Sequence, residues 1–331
     1  MMVQAEQARG VALPLGRMLR PGVEMPDWSA VTTETARRAL EASFAIAGRH
    51  EKWAGLGDDE DRVWRTILEG FASAGRAPDV AAMAAATDLG PAAVGAALDR
   101  LRMRDLVVRA ENSGAVTAAY PFSEWVTAHR VRWGDTIANA LCAIDALGIG
   151  AMLGRDTIID TECHHCHAPI QIATGRQGTK IATILPVETV VWSGIAYAGN
   201  CGATSGCTLK VFFCSDNHLN AGRAAGQAAS PGFRLSVAEA HQVGRAMFAP
   251  MLRPSVPTER DGMTSKRLLA TGVVGTVVAA LCCGTPLLAI MFAAFGLSAW
   301  LAYTDYVVLP AMIVFMAITG YALWRRRLHD R

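Results

Sequence analysis

The sequence has little excess charge of either sign. Its 331 residues include 31 Lys and Arg against 29 Asp and Glu, which gives a formal net charge of +2. A balance this close disfavours wholesale coating of nucleic acid. Charged residues make up only 18% of the chain and hydrophobic residues 52%, a composition that excludes a disordered protein. The length predicts two or three domains.

A secretory signal is also missing, because the first twenty residues lack a basic start followed by an apolar stretch. We therefore expect residues 1–265 to lie in the cytoplasm, where thiols stay reduced. None of the eight cysteines comes before Cys142. In a reducing compartment these cysteines are expected to be ligands or nucleophiles rather than disulfides.

Charged residues disappear near the C-terminal end of the sequence. None occurs in residues 268–304 or 306–324, and Asp305 stands alone between the two runs. Each run can hold a membrane-spanning helix of about 20 residues. Basic residues flank the outer end of each run, so the positive-inside rule places both ends in the cytoplasm. Residues 266–331 are thus predicted to form a two-helix transmembrane hairpin in the lipid of the inner membrane, with both termini cytoplasmic.

The rest of the chain mixes helical and strand periodicity, which predicts an α+β fold. Residues 1–55 form an N-terminal extension without an assigned role, with one helix expected near Val31–His50. Residues 56–125 show three helices and a β-hairpin, a winged-helix-like order. Residues 126–250 combine short strands with helices, as expected of a mixed α+β catalytic domain. Residues 251–265 are a linker rich in Pro, Ser, Thr and charge.

Several elements of the catalytic domain are predicted individually. A helix is expected to begin at Gly134-Asp135, with Asp135 as its cap, and to run to Leu153. A closing helix is expected at Val237–Phe248. Short strands are expected at residues 157–160, 170–173, 180–185, 189–191 and 209–213.

The winged-helix-like segment does not have the charge pattern of a DNA-binding surface. Its last helix contains Arg100, Arg102 and Arg104, but also Asp99 and Asp105. Phosphate contacts require basic clustering. DNA is therefore not expected as a partner, and the segment is interpreted as a structural helical lid.

Cys142 and Asp145 are three residues apart in a strongly apolar stretch. This spacing puts a thiol and a carboxyl on one face of a helix. Apolar surroundings favour the protonated carboxyl, so the pair offers a nucleophile beside a proton donor. An inert buried cysteine next to a capping aspartate is the alternative. Cys207 lies where a glycine-rich loop enters a predicted strand, a position from which a side chain can reach a pocket.

A second cluster is Cys163-His164-His165-Cys166-His167. A Cys-x-x-Cys with adjacent histidines indicates a zinc site, whose other ligands would come from Cys201, Cys207, Cys214 or His218. That spacing is long for a zinc ribbon. The alternative is a turn with one packing cysteine.

The third feature is Cys282-Cys283, three residues before Pro286 in the first predicted membrane helix. The proline opens the backbone hydrogen bonding locally, and two adjacent soft donors suit a soft metal ion. Two small packing residues are the alternative. Soft thiolates in both regions point to mercury(II), silver, copper(I) or cadmium.

The cytoplasmic cysteine pattern resembles that of the organomercurial (alkylmercury) lyases, over about residues 61–250. The motifs that carry the resemblance are Leu141–Leu147, Leu153–Arg155, Cys163, Ala168-Pro169, Cys207 and Val211–Ser215. Separately, the stretches Ala280–Pro286, Gly296–Ala299 and Tyr303–Ala311 resemble the two-helix mercuric ion transporters. Two independent mercury signatures in one chain reinforce each other.

The lyase resemblance implies a function and a site. Cys142 and Cys207 would bind mercury as paired thiolates, Asp145 would protonate the departing carbon, and Cys163 would be structural. The products would be a hydrocarbon and Hg(II). No cofactor is required, external thiols would accept the mercury, and a mercuric reductase would receive it downstream.

The transporter resemblance implies that Cys282 and Cys283 bind mercury in the membrane. Cys166 and Cys201 belong to neither pattern. The alternative function is a membrane-tethered metal-binding sensor or scaffold without catalysis.

Overall fold

A computed structural model of the protein describes residues 17–197 and 201–255. The predicted membrane hairpin, with Cys282 and Cys283, lies outside these residues. Within them no single helix is long and apolar enough to cross a bilayer. Two consecutive helices separated by a sharp bend, Val80–Thr87 and Pro91–Met103, meet that criterion when taken together, by length and composition only.

Residues 17–55 of the N-terminal extension form regular secondary structure. Strands β1 (Arg17–Arg20) and β2 (Val23–Met25) pair antiparallel, and helices α1 (Glu34–Ala47) and α2 (Arg49–Lys52) follow. Thr33 caps α1 by accepting a hydrogen bond from the Ala36 amide. The helix expected near residues 31–50 is confirmed, but Gly48, with φ +61°, ends α1 and separates it from α2.

Three helices and a strand pair come next, in the order expected for residues 56–125. They are α3 (Asp58–Ala74), α4 (Val80–Thr87), α5 (Pro91–Met103), β3 (Val107–Arg109) and β4 (Val116–Ala119). Helix α3 ends at Gly75, which has φ +68°. A side chain at Gly75 would collide with the Ile137 carbonyl oxygen. The end of α3 therefore packs directly on the backbone of the following domain.

Eight antiparallel strands form the main sheet, in the order β10-β9-β8-β6-β7-β5-β4-β3. The further members are β5 (Phe122–Ser123), β6 (Arg130–Trp133), β7 (Thr136–Ala140), β8 (Ile158–Glu162), β9 (Pro169–Gly175) and β10 (Lys180–Leu185). The proposed division at residues 125–126 falls inside this sheet, so the hairpin β3–β4 and the catalytic domain share one set of backbone hydrogen bonds.

The prediction of a helix beginning at Asp135 is wrong. Residues 130–140 form the β6–β7 hairpin, with Gly134 at φ +54° in the turn. Helix α6 (Ala143–Leu153) begins only after it, with Cys142 at the N-cap position. Buried and exposed side chains alternate along β6 and β7. This two-residue periodicity outweighs the cap-like Asp135.

The remaining elements form a smaller layer. They are β11 (Val190–Gly194), α7 (Gly202–Ser205), a 3-10 turn (Cys207–Leu209), β12 (Lys210–Phe213), α8 (Asp216–Ala224), β13 (Gly232–Ser236) and α9 (Val237–Phe248). The strands pair antiparallel in the order β12-β11-β13. The closing helix and the strand at residues 180–185 are confirmed as predicted, and the other four strands start within one residue of the prediction.

Helices α6 and α9 pack closely through glycines. A Cβ atom on Gly148 would lie 2.7 Å from the Gly244 carbonyl oxygen, and one on Gly244 would lie 2.7 Å from the Ile144 carbonyl oxygen. Nine of the eleven residues of α6 are buried. The start of this helix is therefore held in the core, and that is where the candidate site begins.

Candidate active site

Cys142 and Asp145 lie at the N-terminal end of α6. Cys142 has an extended backbone, and its Sγ accepts a hydrogen bond of 3.5 Å from the Asp145 amide. The thiol thus takes the place of the usual hydroxyl or carboxylate cap. The helix N-terminus carries partial positive charge, which favours the thiolate form of a cysteine there.

Cys207 reaches the same point from the 3-10 turn between α7 and β12. Its thiol donates to Asp145 Oδ2 at 3.5 Å and lies 3.8 Å from the Tyr120 hydroxyl. The donor atoms of Cys142, Asp145 and Cys207 all lie within 4.8 Å of one another. Their side chains are only 1%, 2% and 3% exposed. The structure therefore brings together the three residues predicted to carry the chemistry, two of them 62 positions apart in the chain.

Burial changes the acidity of this group. It raises the pKa of Asp145 to about 6, although hydrogen bonds from Cys142 and Cys207 and the charges of Arg49 and Lys210 act in the opposite direction. Burial also raises the pKa of Cys142 well above its usual range, with further contributions from Cys207 and Asp145. Near neutral pH the carboxyl can therefore both take up and release a proton.

Arg49 was not among the predicted site residues. Its guanidinium is buried, donates from Nη1 to the Ser43 carbonyl at 2.7 Å, and stacks 5.3 Å from the centroid of the Trp53 ring. Burial disfavours its charge, but Tyr120, Cys207 and nearby carboxyls outweigh that effect and raise the pKa of Arg49. The charge of this buried cation thus interacts with Cys207 and Asp145. No motif marks Arg49, because it lies in the extension without an assigned role.

Asp105 and Lys210 fix the loop that carries Cys207. Both carboxylate oxygens of Asp105 accept from the Gly202 amide at 3.0 Å, at the start of α7. Lys210 follows Cys207 in the chain, and its Nζ donates to the carbonyl of Gly206, the residue just before Cys207, at 3.0 Å. A Cβ on Gly202 would lie 2.6 Å from the Tyr120 hydroxyl oxygen. Asp105 therefore anchors this loop instead of facing a nucleic acid.

Residues of the second cluster also lie close together, but only two of the four predicted partner residues are among them. Donor atoms of Cys163, Cys166, Cys214 and His218 lie within 4.8 Å of one another. Cys201, one of the predicted partners, lies outside this group, and Cys207 belongs to the first cluster. The chain thus holds two separate sulfur-rich clusters among its described residues.

Comparison with known families identifies the class of protein. Residues 122–249 match the family model of alkylmercury lyase. The chain therefore contains an alkylmercury lyase domain, and its enzyme class is carbon–mercury lyase. Residues 285–329 match the family model of the membrane transport protein MerF, so a segment similar to that family follows in the same chain. Both resemblances seen in the sequence are confirmed at this level.

The fold is shared with a solved structure. The crystal structure of the mercury-bound form of MerB2 aligns with a TM-score of 0.53 and 22% sequence identity, covering 67% of this chain and 100% of that one. At this identity the likeness shows a common fold. A search of curated proteins finds no match.

Proposed function

We propose that this protein cleaves the carbon–mercury bond of alkyl and aryl mercury compounds by protonolysis, giving a hydrocarbon and Hg(II). One observation carries the proposal. Two thiols and one carboxyl lie within 4.8 Å of one another in the core, without solvent exposure. Mercury is the substrate in this reaction, and the residues themselves supply all the other groups.

The first step is the capture of the organomercury cation by sulfur. A thiol of the pair loses its proton, and its sulfur replaces the ligand that mercury brought from solution. The charge of Arg49 and the N-terminus of α6 both offset part of the cost of burying a thiolate. The Cys207 thiol donates to Asp145 Oδ2 at 3.5 Å, so Asp145 is placed to accept the released proton.

The second step breaks the carbon–mercury bond. The second thiol loses its proton to the thiolate ligand that mercury brought from solution, which leaves as a free thiol. With Cys142 and Cys207 both on mercury, the metal becomes electron-rich and the carbon becomes a better leaving group. The carboxyl of Asp145 returns its proton to that carbon, the bonding electron pair forms the new C–H bond, and Hg(II) stays on the two sulfurs. A pKa of about 6 suits a group that must gain and lose a proton near neutral pH. External thiols then remove the mercury.

The test uses residues 1–256, which form one compact unit. This fragment keeps Arg49, which a fragment beginning at α3 would lose. Phenylmercury is supplied with excess thiol, and benzene is measured by gas chromatography. We expect benzene from the unsubstituted fragment and from Cys201→Ser, and none from Cys142→Ser. A folded, reduced fragment that releases no benzene would refute the proposal.

We further propose that Cys282 and Cys283 bind mercury compounds in the membrane and deliver them to the lyase domain from a two-helix hairpin in the inner membrane. The family match at residues 285–329 supports a transport association. Released Hg(II) would then pass to a reductase. The test compares methylmercury uptake and demethylation by cells carrying the chain or its Cys282→Ser/Cys283→Ser variant. Equal rates in intact cells would refute delivery, and equal rates in lysates serve as the control for the lyase domain.

A DNA-binding sensor is the competing function, and the surface of α5 argues against it. Arg100 and Arg104 both contact the buried carboxylate of Glu60, with Nε–Oε1 distances of 3.5 and 3.0 Å. Arg104 also donates to the carbonyl oxygens of Lys52 and Ala54. These arginines are engaged within the protein and are not free for phosphate contacts.

A further inference from the structure

The second cluster combines four donors of the kind that closes a metal site. Cys163 is buried, Cys214 and His218 are half-buried, and Cys166 is exposed. We propose that these four side chains bind a structural zinc ion, separate from the site where mercury reacts. Three cysteines and one histidine are an established donor set for structural zinc.

The local backbone presents two of the ligands from one tight turn. Cys163 follows β8, and its amide donates to the Ala168 carbonyl at 2.9 Å. The His167 amide donates back to the Cys163 carbonyl at 2.8 Å, and His167 has φ +57°. This turn closes on itself and holds Cys163 and Cys166 three positions apart, the usual separation for two zinc ligands in a turn.

The other two ligands come from the end of β12 and the beginning of α8. Cys214 directly follows the strand, and Ser215 caps α8 by accepting from the His218 amide at 3.3 Å. Residues four apart around a first helical turn lie on the same side. Cys214 and His218 therefore face the cysteine turn together.

The distances fit a tetrahedral ion. With zinc–sulfur bonds of about 2.3 Å, two ligated sulfurs lie about 3.8 Å apart. Cys166 Sγ and Cys214 Sγ are 3.9 Å apart, and Cys163 Sγ lies 3.8 Å from His218 Nδ1. Cys214 Sγ and His218 Nδ1 are closer, at 2.9 Å, so zinc binding requires this pair to separate slightly.

The neighbouring histidines are engaged elsewhere. His165 Nδ1 is 2.9 Å from Gln227 Oε1, and His167 Nδ1 is 2.9 Å from Glu162 Oε1. Of the histidines in the sequence motif, none supplies the fourth ligand. It comes from His218, 55 residues after Cys163.

The position of the cluster explains why a metal there would matter. The cysteine turn belongs to the eight-stranded sheet, whereas Cys214 belongs to the three-stranded one. The His164 amide already bridges the two by donating to the Phe212 carbonyl at 2.8 Å. A zinc ion would cross-link the two layers beside β12, and Cys207 lies just before the opposite end of that strand. Four protein ligands leave no open position for a reaction, so the role we assign is structural.

The experiment uses the full chain, purified in detergent under reducing conditions from cells grown with zinc and without mercury. Bound metals are measured by inductively coupled plasma mass spectrometry. We expect about one zinc ion per chain, falling at least tenfold in Cys166→Ser and in His218→Ala. The matched controls Cys201→Ser and His165→Ala should keep the zinc. The double variant Cys142→Ser/Cys207→Ser should also keep it, which separates this site from the reactive one.

Four results would overturn the proposal. The first is no zinc in the full chain, and the second is zinc unchanged by Cys166→Ser and His218→Ala. The third is a Cys166–Cys214 disulfide in the freshly isolated protein, and the fourth is a cluster that takes up only mercury.

If the ligand variants do not fold, cobalt replaces zinc in the unsubstituted chain. A tetrahedral thiolate site gives strong visible cobalt(II) bands and sulfur-to-cobalt charge transfer. Their absence would equally count against the site.

Discussion

The two sulfur clusters of this protein contain similar donors in opposite settings. Cys142, Asp145 and Cys207 lie in the core, at the start of a buried helix, with a buried guanidinium and ammonium nearby. The other cluster has three cysteines and a histidine, of which Cys163 is buried and Cys166 exposed, and its set contains no carboxyl. The first cluster therefore has an acid beside its thiols, and the second has none.

This difference shows that cysteine content alone does not identify a reactive site. A thiolate pair binds a soft metal in either place. Turnover requires in addition a proton source within reach of the ligand on the metal, and cations that stabilise the thiolate before the metal arrives. Both features belong to the buried cluster, so each can be removed to test the comparison.

The largest difference in activity is expected between variants of the two cysteines that flank β12. Cys207→Ser should lower benzene release at least about 10³-fold, because it removes one of the two sulfurs that activate mercury. Cys214→Ser, seven residues later but in the other cluster, should stay within about threefold at 25 °C. Comparable losses of benzene release in both variants would contradict the proposed difference between the reactive cluster and the zinc cluster. Circular dichroism verifies that both variants are folded.

Asp145→Asn should separate binding from catalysis. The two thiols remain, so the variant should still bind as much phenylmercury as the unsubstituted protein. Turnover should fall by about 10²- to 10⁴-fold, the usual contribution of a positioned acid. Binding is measured by the mercury that survives gel filtration, and turnover by benzene. A variant that keeps full turnover would assign the proton transfer to another group.

The same substitution should stabilise the fold at high pH. Burial raises the pKa of Asp145 from 3.8 to about 6, so the folded state binds more protons than the unfolded state in that interval. Stability is therefore lost as pH rises from about 4 to 6, by about 3 kcal/mol in total. Asp145→Asn removes this loss.

Urea unfolding of residues 1–256 at pH 4 and pH 8 measures the effect. The variant should gain up to about 3 kcal/mol over the unsubstituted fragment at pH 8 and little at pH 4. The control is Asp135→Asn, since Asp135 is exposed in the β6–β7 turn. An equal gain at both pH values would show that the charge of Asp145 is not the cause.

Much of the fold could be predicted from the sequence, because the spacing of apolar residues follows directly from which side chains are buried. The closing helix α9 and the strand β10 were predicted with their observed bounds. The helix that carries Asp145 ends at Leu153 as predicted, but its start was placed too early, since Gly134-Asp135 has the composition of a helix start and of a hairpin turn alike. Only pairing between β6 and β7, which is a tertiary interaction, decides between the two.

The candidate site was predicted in part for a similar reason. Cys142 and Asp145 are local neighbours, and their spacing carries information. Partners that arrive from distant segments leave no local pattern, and Asp105 and Arg49 belong to this group. His218 was one of four candidate zinc partners, and the chain fold selects it together with Cys214. How many of the site residues can be predicted from the sequence is therefore limited by their separation along the chain rather than by their residue type.

Arg49 allows the last and smallest test. Its positive charge lowers the pKa of Asp145, the group placed to accept the thiol proton, so Arg49→Gln should move the rising limb of the rate–pH profile to higher pH. At a fixed pH on that limb, turnover should fall and recover as the pH is raised. Arg49→Lys keeps the charge and should keep the position of the limb.

The exposed arginine at position 102 provides the control, since Arg102→Gln changes the same charge outside the core. Arg49 also stacks on Trp53 and donates to the Ser43 carbonyl, so its replacement affects packing as well. Packing loss lowers the rate equally at all pH values, whereas charge loss shifts the limb. A uniform decrease in both Arg49 variants would therefore make Arg49 a packing residue and leave Lys210 and the helix terminus as the source of the positive potential at the thiols.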